Sequence, residues 1–247
     1  MTTKLTVEVT SPAGSWESLR SAIKAGADSI YFGAGKLNMR SRAAANFAKK
    51  DIAKIAEICR RANVKAYMAL NSLIYDDDIA EMKTLCGAGK SAGVSAIIVT
   101  DFAALEYARS IGLPVHISVQ MNVCNFESLK YFAKFADTVV LARELSLSQI
   151  AALAQKIREE KLISHSGDLL KIEVFVHGAL CVAVAGKCYM SMAAYNKSAN
   201  RGECYQNCRR GYRVIDEDTG NEFLIDNKFV MSPKDLCCIS ILDKIIR

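Results

Sequence analysis

The sequence predicts an α/β fold of the TIM-like (β/α)8 type, incomplete, with seven strands and a cysteine-rich insertion after the seventh. Short apolar runs alternate with segments of 3.6-residue periodicity, the pattern of parallel βα units. Several runs carry apolar residues at one set of alternate positions and polar residues at the other. That suits a barrel with a functional lumen better than an open sheet covered on both faces. With 247 residues, 51% apolar and 23% charged, the chain has material for one barrel-sized domain and is neither disordered nor fibrous.

The strand-like runs cover residues 5–11, 29–33, 64–71, 95–101, 115–120, 138–143 and 171–177. The helix after the second run places Ile52, Ile55, Ala56 and Cys59 on one face. Asn125 suits an N-cap after the fifth run, and Ser146 with Gln149 forms a capping-box pattern after the sixth. In the fifth run His116, Ser118 and Gln120 alternate with Val115, Ile117 and Val119. In the seventh, Glu173, Phe175 and His177 alternate with Ile172, Val174 and Val176. Residues 239–247 read as an amphipathic helix carrying Ile239, Leu242 and Ile246. An eighth strand is expected next, so residues 1–247 read as a single barrel domain truncated before strand 8. No apolar run approaches the length of a membrane span, and residues 1–14 lack a charged-then-apolar leader pattern. The expected compartment is the cytoplasm.

Residues 178–233 break the alternation, being far longer than the usual βα loop. Within them residues 213–218 and 222–229, around Thr219, Gly220 and Asn221, read as a β-hairpin. An insertion after a barrel strand sits at the C-terminal face, where barrel enzymes build their sites. Six of the nine cysteines lie from Cys181 onward: Cys181, Cys188, Cys204, Cys208, Cys237 and Cys238. In a reducing compartment such clustering favours metal or redox chemistry over structural disulfides. Only Cys204 and Cys208 are tightly spaced. An iron–sulfur cluster therefore suits the spacing better than zinc, with reduced thiols or a redox pair as the third reading. Cys59 and Cys86 fall on apolar helix faces and read as core, and Cys124 as a loop residue.

Between Lys187 and Arg213 six basic residues meet one acid, Glu203, with Tyr189, Tyr195, Tyr205 and Tyr212 interleaved. This is either a solvated surface or an anion-facing patch for RNA or a phosphorylated substrate. Arg40 and Arg42 after the second run suit bidentate binding of carboxylate or phosphate, or simply surface charge. Arg143 and Glu144 after the sixth offer an anion clamp with a general base, or a local ion pair. Asn71 and Gln120 end their strands as hydrogen-bonding groups, and His177 ends the seventh run as a proton donor or acceptor.

The stretch from Glu173 to Cys181, with Gly186, Cys188 and Ser191, resembles the signature of the collagenase-like peptidase family U32, of unassigned catalytic type. The resemblance continues through residues 198–204 and 231–237, and includes residues 11–14 and 120–122. It implies two kinds of activity. Some members are named collagenases. Others resemble iron–sulfur proteins that hydroxylate, without oxygen, a transfer-RNA wobble uridine, a ribosomal-RNA cytidine or a quinone precursor, the RNA branches drawing on prephenate as co-substrate. In one branch the ligand pattern of a [4Fe–4S] cluster matches Cys181, Cys188, Cys204 and Cys237. Another branch uses a C-x3-C pair, which Cys204 and Cys208 satisfy, so Cys208 is the alternative fourth ligand.

The sequence contains neither an H-E-x-x-H zinc motif nor a G-x-S-x-G elbow. A histidine-dependent peptidase would rely on His116, His165 or His177, of which His177 lies four residues before Cys181. The main expectation is an RNA-hydroxylating enzyme with RNA and an electron-donor protein as partners and no membrane. The site would comprise His177 and Glu144 as catalytic groups, Arg40, Arg42, Asn71, Gln120 and Arg143 for substrate, and the cysteines for the cluster. The alternatives are a collagenase-like hydrolase and a non-catalytic RNA-binding module.

Overall fold

The structure, a computed structural model, describes residues 7–42, 46–223 and 235–246. Seven parallel strands stand side by side in chain order: β1 (Thr10–Ala13), β2 (Ser29–Gly33), β3 (Lys65–Leu70), β4 (Ala96–Val99), β5 (Val115–Ile117), β6 (Thr138–Val140) and β7 (Lys171–Glu173). Unbroken sequential order is what successive βα units produce when every crossover turns the same way. The sheet curls into a half-barrel. The expected run at 5–11 is displaced: β1 begins at Thr10, and residues 5 and 6 lie outside the described residues.

Six helices cover the outer face: α1 (Trp16–Lys24), α2 (Ile52–Arg61), α3 (Ile79–Ala92), α4 (Phe102–Ser110), α5 (Phe126–Ala133) and α6 (Leu147–Glu159). Their starts are set by local chemistry. Asn125 accepts from the Ser128 amide, and Ser146 and Gln149 form the reciprocal capping box their spacing predicts. The α2 face of Ile52, Ile55, Ala56 and Cys59 is buried. These faces pack on the outward strand residues, among them Ile30, Phe32, Met68, Ile97, Ile117 and Val139, to make one continuous core. Fully burying each such side chain contributes about 1.5–3 kcal/mol. The inward set is separate: Tyr31, Tyr67, Ala96 and Ile98 form a small cluster of their own. Around it Ser29, Asn71, His116 and Ser118 are buried polar residues.

The seventh run does not stay in the sheet to His177. The Leu141 amide donates to the Glu173 carbonyl, after which the β6 side turns toward Val123 and leaves the next residues without a ladder partner. The chain finds one in a separate antiparallel pair. There β8 (His177–Gly178) faces β11 (Leu236–Cys237), with Cys237 opposite His177. Between them lie a short helix α7 (Met190–Tyr195) and the hairpin β9 (Val214–Ile215) and β10 (Glu222–Phe223). Residues 224–229 of the expected hairpin lie outside the described residues. The expected helix at 239–247 is a 3₁₀ turn, Ile239–Ile241, followed by α8 (Leu242–Ile246). Leu236, Ile241 and Ile245 line an apolar cleft with Leu141, Val174 and Leu180 at the β6–β7 edge. No helix among the described residues is long and apolar enough to cross a membrane.

Candidate functional site: a thiol group over the barrel mouth

The insertion is fastened across the C-terminal ends of four strands. After β5, Asn122 Nδ2 donates to the Ala185 carbonyl at 2.7 Å. After β6, the Arg143 guanidinium donates to the Ala183 carbonyl at 3.4 Å. After β3, the Leu73 amide donates to the Asn200 carbonyl, and after β2 the Arg42 amide donates to that of Gly202. Gly202 sits so close to the β2 loop that a Cβ there would lie 2.3 Å from the Asn38 carbonyl oxygen. Its φ of +85° is one that glycine adopts without strain.

Polar contacts inside the insertion draw the cysteine-bearing segments together. Arg209, beside Cys208, donates to the Leu180 carbonyl, beside Cys181, at 3.2 Å, and pairs with Asp235 at 3.1 Å. Asn200 donates to the carbonyl of Cys188 itself. Asn207 donates to the Met190 carbonyl, and the Tyr205 amide donates to Ser191 Oγ. As a result the Cys208 thiol is held above its ordinary range, first by burial and then by Cys181 and Cys204, with Cys188 adding to this and Arg209 opposing it. Four cysteines from three stretches of chain thus share one electrostatic neighbourhood. Among the described residues no three Cys, His, Asp or Glu side chains are grouped to hold a single metal ion. Cys237, opposite His177, is exposed and is not among the groups that act on Cys208. Cys59 and Cys86 are buried, their thiols pushed up to about 11 by burial, and Cys124 is exposed.

The other expected site residues divide. Arg40 lies over the Tyr31 ring, 5.4 Å from its centroid, at the lumen entrance. Arg42 stacks at 3.6 Å on Tyr205, so it clamps the insertion to the barrel. Asn71 Oδ1 accepts from the Met39 amide at 3.1 Å, and its Nδ2 faces the Tyr31 and Ser118 hydroxyls, each at 3.5 Å. Gln120 lies against Gly186, with its Oε1 buried and unpartnered. The buried Arg143 Nε is also unpartnered. Glu144 is exposed, and no ion pair joins it to Arg143 among the described residues. His177 is exposed on β8.

The basic window is mostly spoken for. Arg201 pairs with Asp78, Arg209 with Asp235, Arg213 with Glu222 and Lys197 with Glu203. Arg210 donates to the Tyr195 hydroxyl, and Tyr195 stacks on Tyr205 with ring centroids 4.5 Å apart. Lys187 alone of the six is exposed with no such contact among the described residues.

Lumen residues that sequence reasoning did not name as site residues are Glu173, Tyr31 and Tyr67. The Glu173 carboxyl is pushed up to about 7, chiefly by burial and then by the charge of Glu8. Tyr31 and Tyr67 are both held above the usual phenol range, burial being the main cause. Tyr67 donates to Glu8, which also pairs with Lys65. The His116 ring lies 4.5 Å from that of Tyr67, and burial lowers its pKa to about 4, so it is neutral. Alternation had put Glu173 on the inner face. Only the folded chain reveals the burial and the neighbouring charge that raise this carboxyl.

A curled parallel sheet with a thiol-rich insertion over its C-terminal mouth defines a TIM-like barrel class in which the site is built above the lumen. The chain belongs to Peptidase family U32, whose model matches residues 14–247. It is 51% identical over 239 residues to a protein named collagenase from Porphyromonas gingivalis, covering 97% of this chain and 58% of that protein. It is 32% identical to a tRNA hydroxylation protein of Bacillus subtilis, covering 97% of this chain and 56% of the relative. It is 35% identical to a 23S rRNA 5-hydroxycytidine synthase of Escherichia coli, covering 93% and 33%. The chain thus spans about half, or less, of the length of these relatives. The solved structure of a U32 peptidase matches the fold with a TM-score of 0.56 at 13% identity, covering 72% of each chain.

Proposed function

We propose that this chain is the cluster-bearing barrel of an enzyme that hydroxylates an RNA base without oxygen. The observation that carries the reading is the thiol group over the mouth: Cys181, Cys188 and Cys204 all act on the Cys208 thiol, and their segments are tied by hydrogen bonds. Soft thiolates so collected fit an iron–sulfur cluster. A cluster held there would supply single electrons. Arg209, beside Cys208, offsets the negative charge of the thiolates. Arg40 and Arg143 carry positive charge at the lumen entrance, with no acid paired to either among the described residues. They would bind anionic groups of the substrate. Gln120 and Arg143 present unpartnered buried polar atoms that a bound base or co-substrate would satisfy. Cys208 is favoured as fourth ligand by its neighbours, and Cys237 by the motif.

A second reading is a collagenase-like hydrolase, favoured by the name of the 51% identical relative, which outweighs the RNA proteins in sequence identity. One experiment separates the two. The full-length protein is purified without oxygen and assayed for iron and sulfide, for hydroxylated nucleosides formed in bulk RNA, and for gelatin cleavage. The hydroxylation reading expects iron with equivalent sulfide, lost together with RNA product in Cys188→Ser. Gelatin cleavage that survives Cys188→Ser and needs no iron would overturn it in favour of the hydrolase. Iron retained by Cys208→Ser and lost by Cys237→Ser would name Cys237 as the fourth ligand.

A further inference from the structure

We propose that Glu173 is the acid of the barrel lumen, a carboxylic acid that delivers its proton to a hydrogen-bond acceptor on a molecule bound beneath the insertion. This rests on the reading of the mouth as the reaction site, and adds a group that neither the cysteine pattern nor the family relationship assigns.

The geometry comes first. Glu173 is the last residue of β7, paired in register with Val140, and the insertion begins only a few residues later. Alternation along β7 sets it apart from Ile172 and Val174, which pack against the outer core, and so turns it into the lumen. There it lies within electrostatic reach of Tyr31 on β2 and Tyr67 on β3, so it faces across the half-barrel. It has no hydrogen bond or ion pair among the described residues, although Lys171 stands two residues back on the same strand and Arg40 lies across the half-barrel. Lys65 is paired with Glu8, and Arg40 lies over Tyr31. The remaining titratable groups on the facing elements give it no positive partner. His116 on β5 is neutral, both tyrosines keep their protons, and Glu8 is itself anionic.

Burial and the Glu8 charge push this carboxyl up to about 7, so both its forms are populated near neutral pH. A structural carboxyl would have a donor. This one has none among the described residues, and it stands at the C-terminal end of β7, just before the insertion. In the transfer its O–H bond breaks, the proton moves to a carbonyl oxygen, hydroxyl oxygen or ring nitrogen of the bound molecule, and the carboxylate left behind is reprotonated from solvent through the mouth. No oxidant or reductant enters this step. A group whose pKa sits near the working pH is suited to such transfer, because both its forms are populated.

The test uses the full-length, cluster-loaded protein in two arms. The first is difference infrared titration of the carboxylic acid band in the wild type and in Glu173→Gln. A band that titrates near pH 7 and is missing from Glu173→Gln is expected; no such band at pH 6 overturns the proposal. The second arm measures hydroxylated nucleoside in bulk RNA and gelatin cleavage, as pH profiles. Whichever activity the wild type shows should fall 10²-fold or more in Glu173→Gln, with iron content unchanged. Glu173→Asp should restore part of it with a displaced profile. Wild-type turnover and profile in Glu173→Gln, or loss of iron in that variant, overturns the proposal. Absence of RNA product in the wild type removes the hydroxylation reading alone, because the infrared and gelatin arms still decide on Glu173.

Discussion

Glu173 and His116 share one lumen, and burial drives them the same way, toward neutrality, with opposite consequences for stability. Glu173 has an ordinary value of 4.5 when unfolded and about 7 when folded. Between those values the folded chain holds a proton that the unfolded chain has released, so stability is lost as pH rises through about 7. Relative to its offset from the wild type in urea unfolding at pH 4, Glu173→Gln should gain up to about 3 kcal/mol by pH 8. His116 goes from 6.5 unfolded to about 4 folded, so its contribution is present above 6.5 and lost as pH falls through 4. His116→Gln should flatten the acid limb of the unfolding curve between pH 6.5 and 4. An unchanged limb would mean that other groups govern acid unfolding.

At the scale of elements, the β2 loop and the insertion make one joint. Asn71 holds the loop through the Met39 amide, Gly202 sits on the Asn38 carbonyl, and Arg42 stacks on Tyr205. Gly202→Ala adds a Cβ where there is no space and strains a positive φ, at a cost of about 1–3 kcal/mol from the backbone alone. The expected outcome is early protease cleavage within the insertion and loss of bound iron, with the helical signal of the barrel intact. Asn125→Ala, by contrast, removes only the α5 cap and should cost about 1 kcal/mol in chemical unfolding without disturbing the insertion.

Across the whole molecule, the charge that looked free in the sequence is mostly bound within it. On the proposed RNA reading, the salt dependence of RNA binding should therefore fall by about 0.7–0.9 in Lys187→Ala, one phosphate contact's share for a single strand or duplex. Arg209→Ala should act through structure instead. It frees the Leu180 carbonyl and Asp235, so loss of iron should accompany any loss of affinity. Affinity lost in Arg209→Ala with iron retained would return that arginine to the RNA surface.

The strand–helix alternation, the outer apolar face and the caps at Asn125 and Ser146 were legible from local pattern. Each depends on residues a few positions apart, where the period of a strand or helix dictates which face is apolar. Three things were decided by tertiary structure alone. β7 ended at Glu173 because its neighbour turned away, which moved His177 out to pair with Leu236–Cys237. Arg42, Arg201, Arg209 and Arg210 found partners distant in sequence, which turned an apparent anion patch into internal fastening. The raised carboxyl of Glu173 came into view only in the fold, because acidity depends on depth and on the charges across the barrel, and no run of neighbouring residues encodes either.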